Sequence, residues 1–334
     1  MARFFRFLLT TGLIWSSLGL HLVICACYLR RWDKAAAITV FPFWIWALAG
    51  LFIAGLAWIT TRKKLAALLT GLWLVTLVGG SDETRPLLRF AKEKPLPGKP
   101  APDAAGIVPL RVITLNCRQG AWNPQVLDEL VAWNPDVVFL QETPFPADLQ
   151  KAVVRVFPGI PGYFEPGENC AILARTKILN VLRGYQPCSM LGVVELRPGK
   201  RVELACVHLQ GAETTMRLWS RDAWRSHYYN RQSRRTELSL LMGVQQLFSG
   251  DYPVIVGGDF NAPAGDGLFD LLKLKGFTDA FAVAGCGWPC TYPNAAPVLR
   301  IDHIWTRGLT PLRAITVHTQ RSDHRMIVCD FLLP

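Results

Sequence analysis

The sequence predicts a mixed α/β domain of roughly 225 residues carried behind two to three membrane-spanning helices. Two observations lead there. The apolar excess of the chain is confined to its first third, and from Pro109 onward short β-branched runs alternate with helical patterns. Of the 334 residues, 51% are hydrophobic and only 18% charged, which excludes a disordered chain. Residues 1–101 hold 13 Lys/Arg and 4 Asp/Glu, and the remainder 23 and 21. The formal charge of +11 therefore sits mostly in the apolar third and is no nucleic-acid signature of the whole protein.

Phe7–Leu29 runs for 23 residues without a formal charge and Ala35–Thr61 for 27. Each exceeds the ~20 residues that cross a bilayer core, and only a helix satisfies its own backbone there. The sequence thus predicts two spans, with Leu65–Ser81, at 17 residues, as a short third span or a re-entrant segment. A cleaved leader is disfavoured, because a second long apolar run follows the first. Trp32, Trp44, Trp46, Trp58 and Trp73 include several near the expected ends, as an interfacial belt would have them. The positive-inside count does not decide orientation. Arg3 and Arg6 ahead of the first span lean it toward an external C-terminal domain in a plasma or bacterial-type inner membrane. Residues 82–108, with the Pro-rich Lys94–Gly106, read as a linker between the membrane region, 1–81, and a catalytic domain over 109–334.

Expected strands in that domain are Arg111–Asn116, Asp136–Gln141, Cys170–Ala174, Val193–Leu196, Val202–His208, Pro253–Gly258, Arg300–Trp305 and Met326–Phe331. Expected helices are Pro124–Trp133, Ala147–Val156, Gln232–Phe248 and Gly267–Lys275. Seven cysteines fall in this part, an odd number that argues against a complete disulfide framework. Cys286 and Cys290 are able to pair only in an oxidising compartment.

The polar residues at the ends of these runs carry the functional signal. VITLN ends at Asn116, VVFLQE at Glu142 and LACVH at His208; VIVGGDFN holds Asp259 and Asn261, and IDHIW holds Asp302. Ser322-Asp323-His324 precedes the last strand. One such residue is ordinarily a turn or cap. Six groups offering carboxylates, amides and imidazoles at strand ends, which one edge of a sheet can gather, are a set suited to phosphoryl chemistry. Asp259 and Asn261, two apart in extended chain, face the same way. His303, next to Asp302, should face the opposite side and read as structural.

Taken in order, NxxQG-like residues at Asn116, LQE at Glu142, VHL at His208, GDFN at 258–261, IDHI at 301–304 and SDH at 322–324 resemble the endonuclease/exonuclease/phosphatase superfamily. The resemblance covers about residues 109–334. It implies a four-layer α/β/β/α sandwich and Mg²⁺-dependent phosphoester hydrolysis, with Mn²⁺ as a substitute. It also implies roles. Glu142 with Asn116 would hold the metal, and Asp323 would contact metal or water. Asp259 would activate the water and Asn261 would bind phosphate or nucleophile. His208 and His324 would donate protons or stabilise the oxyanion, and Asp302 would pair with His324. The pattern does not choose nucleic acid over a phospholipid headgroup as substrate, and a catalytically silent membrane scaffold is the contrasting class. Arg217–Arg235, with six Arg, one Asp and interleaved Trp and Tyr, suits either a nucleic-acid backbone or an anionic bilayer surface.

Overall fold

The computed structural model describes residues 2–59, 63–90, 109–120, 123–183, 189–243 and 252–333. The described chain divides into two compact units, one of residues 1–84, 213–229 and 265–267, the other of 85–212, 230–264 and 268–334.

In the first unit, α1 (Ala2–Arg30) is followed by a 3₁₀ turn at Asp33–Ala35 and by α2 (Ala36–Thr39). Then come α3 (Phe43–Trp58) and α4 (Lys63–Gly80). Phe7–Arg30 and Lys63–Gly80 are each long and apolar enough to cross a membrane. The second expected span is not one helix. Asp33–Thr39 and Phe43–Trp58 meet at a 69° bend, because Pro42, extended at ψ 148° before α3, has no N–H to give and disfavours helix in Phe41. The third apolar run, expected to be marginal, forms the unbroken α4. Small and hydroxyl residues let α1, α3 and α4 approach closely. The indole of Trp73 lies against Gly50 and donates to Ser17 Oγ at 3.1 Å, and Ser17 donates on to the Gly50 carbonyl.

The second unit opens with α5 (Thr84–Phe90), a helix where linker was expected. Arg89 ties it down by donating to the carbonyls of Gly285 and Ala282. Lys94–Gly106 lies outside the described residues. The order is then β1 (Leu110–Asn116), a 3₁₀ segment (Pro124–Trp133), β2 (Val137–Gln141), α6 (Pro146–Val156), β3 (Tyr163–Pro166), β4 (Cys170–Ala174), β5 (Ile178–Arg183), β6 (Ser189–Arg197) and β7 (Lys200–His208). The chain continues with α7 (Arg221–Met242), of which only the part from 230 on belongs to this unit, and then β8 (Val254–Asp259), α8 (Asp270–Leu274), β9 (Thr278–Asp279), α9 (Ala280–Ala284), β10 (Asp302–Arg307), β11 (Thr310–Val317) and β12 (Met326–Leu332). The strands form two six-stranded sheets, β11-β12-β1-β2-β4-β3 and β5-β6-β7-β8-β10-β9.

Alternation along these strands builds the layers. Val112, Phe139 and Ile172 of one sheet and Leu204, Ile255 and Ile304 of the other form the core between the sheets. The alternate residues of the first sheet, among them Ile113 and Leu140, pack under Leu149 and Val153 of α6. Those of the second, Ala205 and Val256, pack under Leu238 and Leu241 of α7. The expected α/β/β/α sandwich is therefore present. Gly257 has its place because a Cβ there would stand 2.5 Å from the Phe139 ring of the facing sheet. Arg111, buried in β1, is neutralised by Asp330 of β12 at 2.7 Å, as a buried charge requires.

Candidate active site

Register decides which residues meet. In the second sheet His208 pairs with Asp259 across β7 and β8, and Asp302 pairs with Asp259 across β8 and β10. In the first, Asn116 ends β1 opposite Gln141, which delivers Glu142 one residue beyond β2. The C-terminal ends of two parallel strand pairs, β1/β2 and β7/β8, thus supply four of the expected residues, and the start of β10 supplies Asp302. Gly258, inside β8, is required just before Asp259. Its φ is +150°, and any Cβ would collide with the Val207 carbonyl.

Asp259 is the hub. It is 1% exposed; Oδ1 accepts from the Asn261 N–H at 2.8 Å and Oδ2 from Asn116 Nδ2 at 3.1 Å. His208 Nε2 and His324 Nε2 stand 3.8 and 3.9 Å from the same Oδ2. Burial, and next the charge of Asp302, raise its pKa to about 6 against the pull of both imidazoles. Burial opposes charge on His324 too. The charge and hydrogen bond of Asp302, whose Oδ2 lies 2.9 Å from Nδ1, overcome it and lift the imidazole to about 10. His324 is therefore an imidazolium at neutral pH. Ser322 fixes its backbone, accepting from the His324 N–H at 3.0 Å and donating to the Asn116 carbonyl at 2.7 Å.

Glu142 lies half-buried at the rim, with Oε1 taking Asn116 Nδ2 at 3.2 Å and Oε2 the Gln119 N–H at 2.7 Å. Its φ of +49°, like that of Asn261, is a strained backbone state of a kind that gathers at functional sites. Asn116 turns its Nδ2 to the carboxylates and its oxygen to the Arg118 N–H, whereas an amide oxygen offered to metal was expected. Asn261 donates Nδ2 to the Leu209 carbonyl at 2.8 Å. Asp323 stands apart from the buried group, 3.9 Å from the exposed Arg118 guanidinium. His303 faces the other way, as expected. It bonds the Ala262 carbonyl at 2.8 Å among Phe260 and Phe269, and burial, then Arg300, hold it near 4 and uncharged.

Sequence reasoning passed over Asn169. Its Nδ2 lies 2.8 Å from His208 Nδ1, and its carbonyl accepts the Glu142 N–H. An amide donor on Nδ1 leaves the neutral His208 ring its proton on Nε2, facing Asp259. Asn169 sits ahead of an apolar run, not at the end of one, which is why strand-end reading missed it. Glu142, Phe145, Glu168, Asn169 and His208 help to line an adjoining open cleft of about 530 Å³.

The donor set fits a divalent cation. Glu142, Asp259 and Asp302 bring three carboxylates against one imidazolium, and Asp302 Oδ1 is buried with no hydrogen-bond partner among the described residues. Asp259, Asp302 and His324 offer ligand atoms within 4.8 Å of one another. A protonated His324, bonded to Asp302, has no lone pair to give, whereas the positive edge of the Asn116 amide already lies between Glu142 and Asp259.

A fold and site of this kind define a phosphoester hydrolase. The endonuclease/exonuclease/phosphatase family model matches residues 113–324, more than half of the chain, and the protein belongs to that family. Solved structures share the fold. The human Nocturnin catalytic domain with bound sulfate aligns at 21% identity over 71% of this chain and 97% of its own, with a TM-score of 0.52. A humanized D. rerio TDP2 aligns at 22% over 67% and 99%, TM-score 0.50. A family protein from Bacteroides thetaiotaomicron aligns at 17% over 68% and 98%, TM-score 0.52. No curated protein sequence matches the chain.

Proposed function

We propose that the chain is a membrane-anchored, Mg²⁺-dependent phosphodiester hydrolase in which Asp259 activates the attacking water. The observation that carries this is the meeting of Asp259, His208, His324, Asn116 and Glu142 at one mouth of the sandwich. With its pKa raised to about 6, Asp259 is ionised at neutral pH yet holds a proton more firmly than an ordinary carboxylate, as a general base must. The N–H groups of Asn261 and Asn116 fix both its oxygens, so the carboxylate waits in one orientation. His324 brings a fixed positive charge and an Nε2–H to phosphoryl oxygens or the leaving oxygen, and Asp302 keeps it charged. His208 offers the Nε2–H that Asn169 secures. A divalent cation bound through Glu142 would neutralise charge developing on the phosphoryl group. Asp323 at the rim adds negative potential near His324.

The cleft favours a small or lipid-borne phosphodiester over a long nucleic acid. Its described lining holds Glu142, Glu168, Phe145, Pro144 and Pro146 and no Lys or Arg, whereas a tracked phosphate backbone calls for a basic groove. TDP2 has been solved with a single-strand DNA product, so nucleic acid is the second reading. The test uses detergent-purified full chain with Mg²⁺ or EDTA on bis(p-nitrophenyl) phosphate, on short-chain phospholipids and on nicked-plasmid substrate. Metal-dependent release from the first two is expected. Plasmid cleavage alone would transfer the assignment to the nuclease reading, and turnover undiminished by EDTA would remove the metal from it.

A further inference from the structure

Of the basic, aromatic segment before and within α7, Arg234 donates to the Asn261 carbonyl, whereas its first half holds none of the residues named in the site just described. Residues 213–229 belong to the compact unit of the apolar helices, and internal hydrogen bonds shape them. Trp224 donates Nε1 to the Leu218 carbonyl at 2.8 Å, Ser226 donates to Glu213, and His227 bonds the Thr215 carbonyl at 3.0 Å. Trp224 packs on the cluster of Ile24, Cys27, Ala35 and Phe43, where α1 ends and the bent second segment begins. Beside it, Lys34, Trp224, Arg225, Tyr228 and Tyr229 line an open pocket of about 210 Å³. Trp219 is 85% exposed and Tyr229 67%, beyond what an isolated soluble surface needs.

We propose that this pocket is a headgroup site for an anionic phospholipid of the bilayer in which the helices sit. Lys34 follows the end of a candidate span, so its ammonium stands at headgroup depth, where Lys stems rest on apolar surface and their heads reach polar groups. Arg225 faces the same pocket with a guanidinium suited to a phosphate; its nearest carboxylate, Asp222, is 4.0 Å away and exposed. Tyr228 and Tyr229, with ring centroids 5.2 Å apart, offer amphipathic bodies of the kind that settle at membrane interfaces. Charge complementarity names the occupant: two cations on an aromatic floor select an anionic lipid over a zwitterionic one. The proposal rests on the reading of the helices as spans, but not on the chemistry at Asp259.

The test is native mass spectrometry of the full chain in neutral detergent with an equal mixture of phosphatidylglycerol and phosphatidylcholine. Wild type should retain phosphatidylglycerol in preference. Lys34→Gln with Arg225→Gln should cut that preference roughly tenfold, while Lys34→Arg with Arg225→Lys should keep it. Hydrolysis of bis(p-nitrophenyl) phosphate should be the same in all three proteins. Equal retention of the two lipids, an unaltered preference in the Gln pair, or displacement of lipid by millimolar inorganic phosphate would overturn the proposal. A proportional fall in hydrolysis would overturn it too, by assigning the pocket to the reaction. Release of the chain from membranes by carbonate without detergent would instead defeat the reading of the helices as spans.

Discussion

Asp259 carries a stability cost when ionised. Its folded pKa is raised, so its contribution to stability is present below the ordinary carboxylate range and lost as pH rises through about 6. At pH 7.5 the ionised group therefore works against folding. Asp259→Asn should melt at the same or a higher temperature than wild type while losing roughly 10³-fold in turnover; calorimetry in detergent beside a rate assay checks both. His324 runs the other way in pH. Raised from 6.5 to about 10, it contributes fully below the ordinary imidazole range and loses that contribution as pH rises through about 10. The rate should accordingly rise through about pH 6 and fall through about pH 10, and Asp302→Asn should bring the falling limb to lower pH. A falling limb unmoved in that variant would show that Asp302 does not set the charge of His324. Asn169→Ala, which frees only the His208 ring, should lower turnover about tenfold with the melting temperature little changed. Most of these residues were legible because each closes an apolar run. Asn169 was not, since it acts across sheet layers through a partner 39 residues away.

The strands that sequence reading overlooked are β3, β5, β9 and β11, and these are the four edges of the two sheets. An edge strand has a neighbour on one side only and needs less apolar surface. Tyr163–Pro166 has no buried residue, Thr310–Val317 opens with Pro311 and Arg313 among half-exposed positions, and Thr278–Asp279 is too short to show a period. The interior strands, buried on both faces, announced themselves. The bend in the second apolar run escaped sequence reading for a different reason. Counting charges finds an apolar run, but Pro42 inside it decides whether that run is one helix. Among the elements, β8 at Gly258 bears most on the site. Gly258→Ala should destabilise the domain by about 3 kcal/mol or more, through backbone strain and the clash with Val207. Thermal unfolding would measure it, and an unaltered melting temperature would contradict the strained geometry.

At the scale of the molecule, composition had already divided the chain, since the apolar excess and most of the net charge fall in its first third. Local pattern did not show that residues 213–229 join the unit of the apolar helices while the rest of their domain folds in the other. That grouping is a long-range packing result. If α1 and α4 are spans, the protein should stay with membranes through carbonate washing and leave only with detergent. A reporter fused at the C-terminus would then fix the side on which hydrolysis takes place. The proposed hydrolysis needs a carboxylate that takes a proton from water beside a bound cation. Its most direct measurement is Mg²⁺-dependent hydrolysis of bis(p-nitrophenyl) phosphate by wild type and Asp259→Asn, purified side by side and shown to be equally folded. Turnover by wild type that EDTA abolishes, with the variant reduced roughly 10³-fold, is the predicted result; equal rates in the two proteins would contradict it.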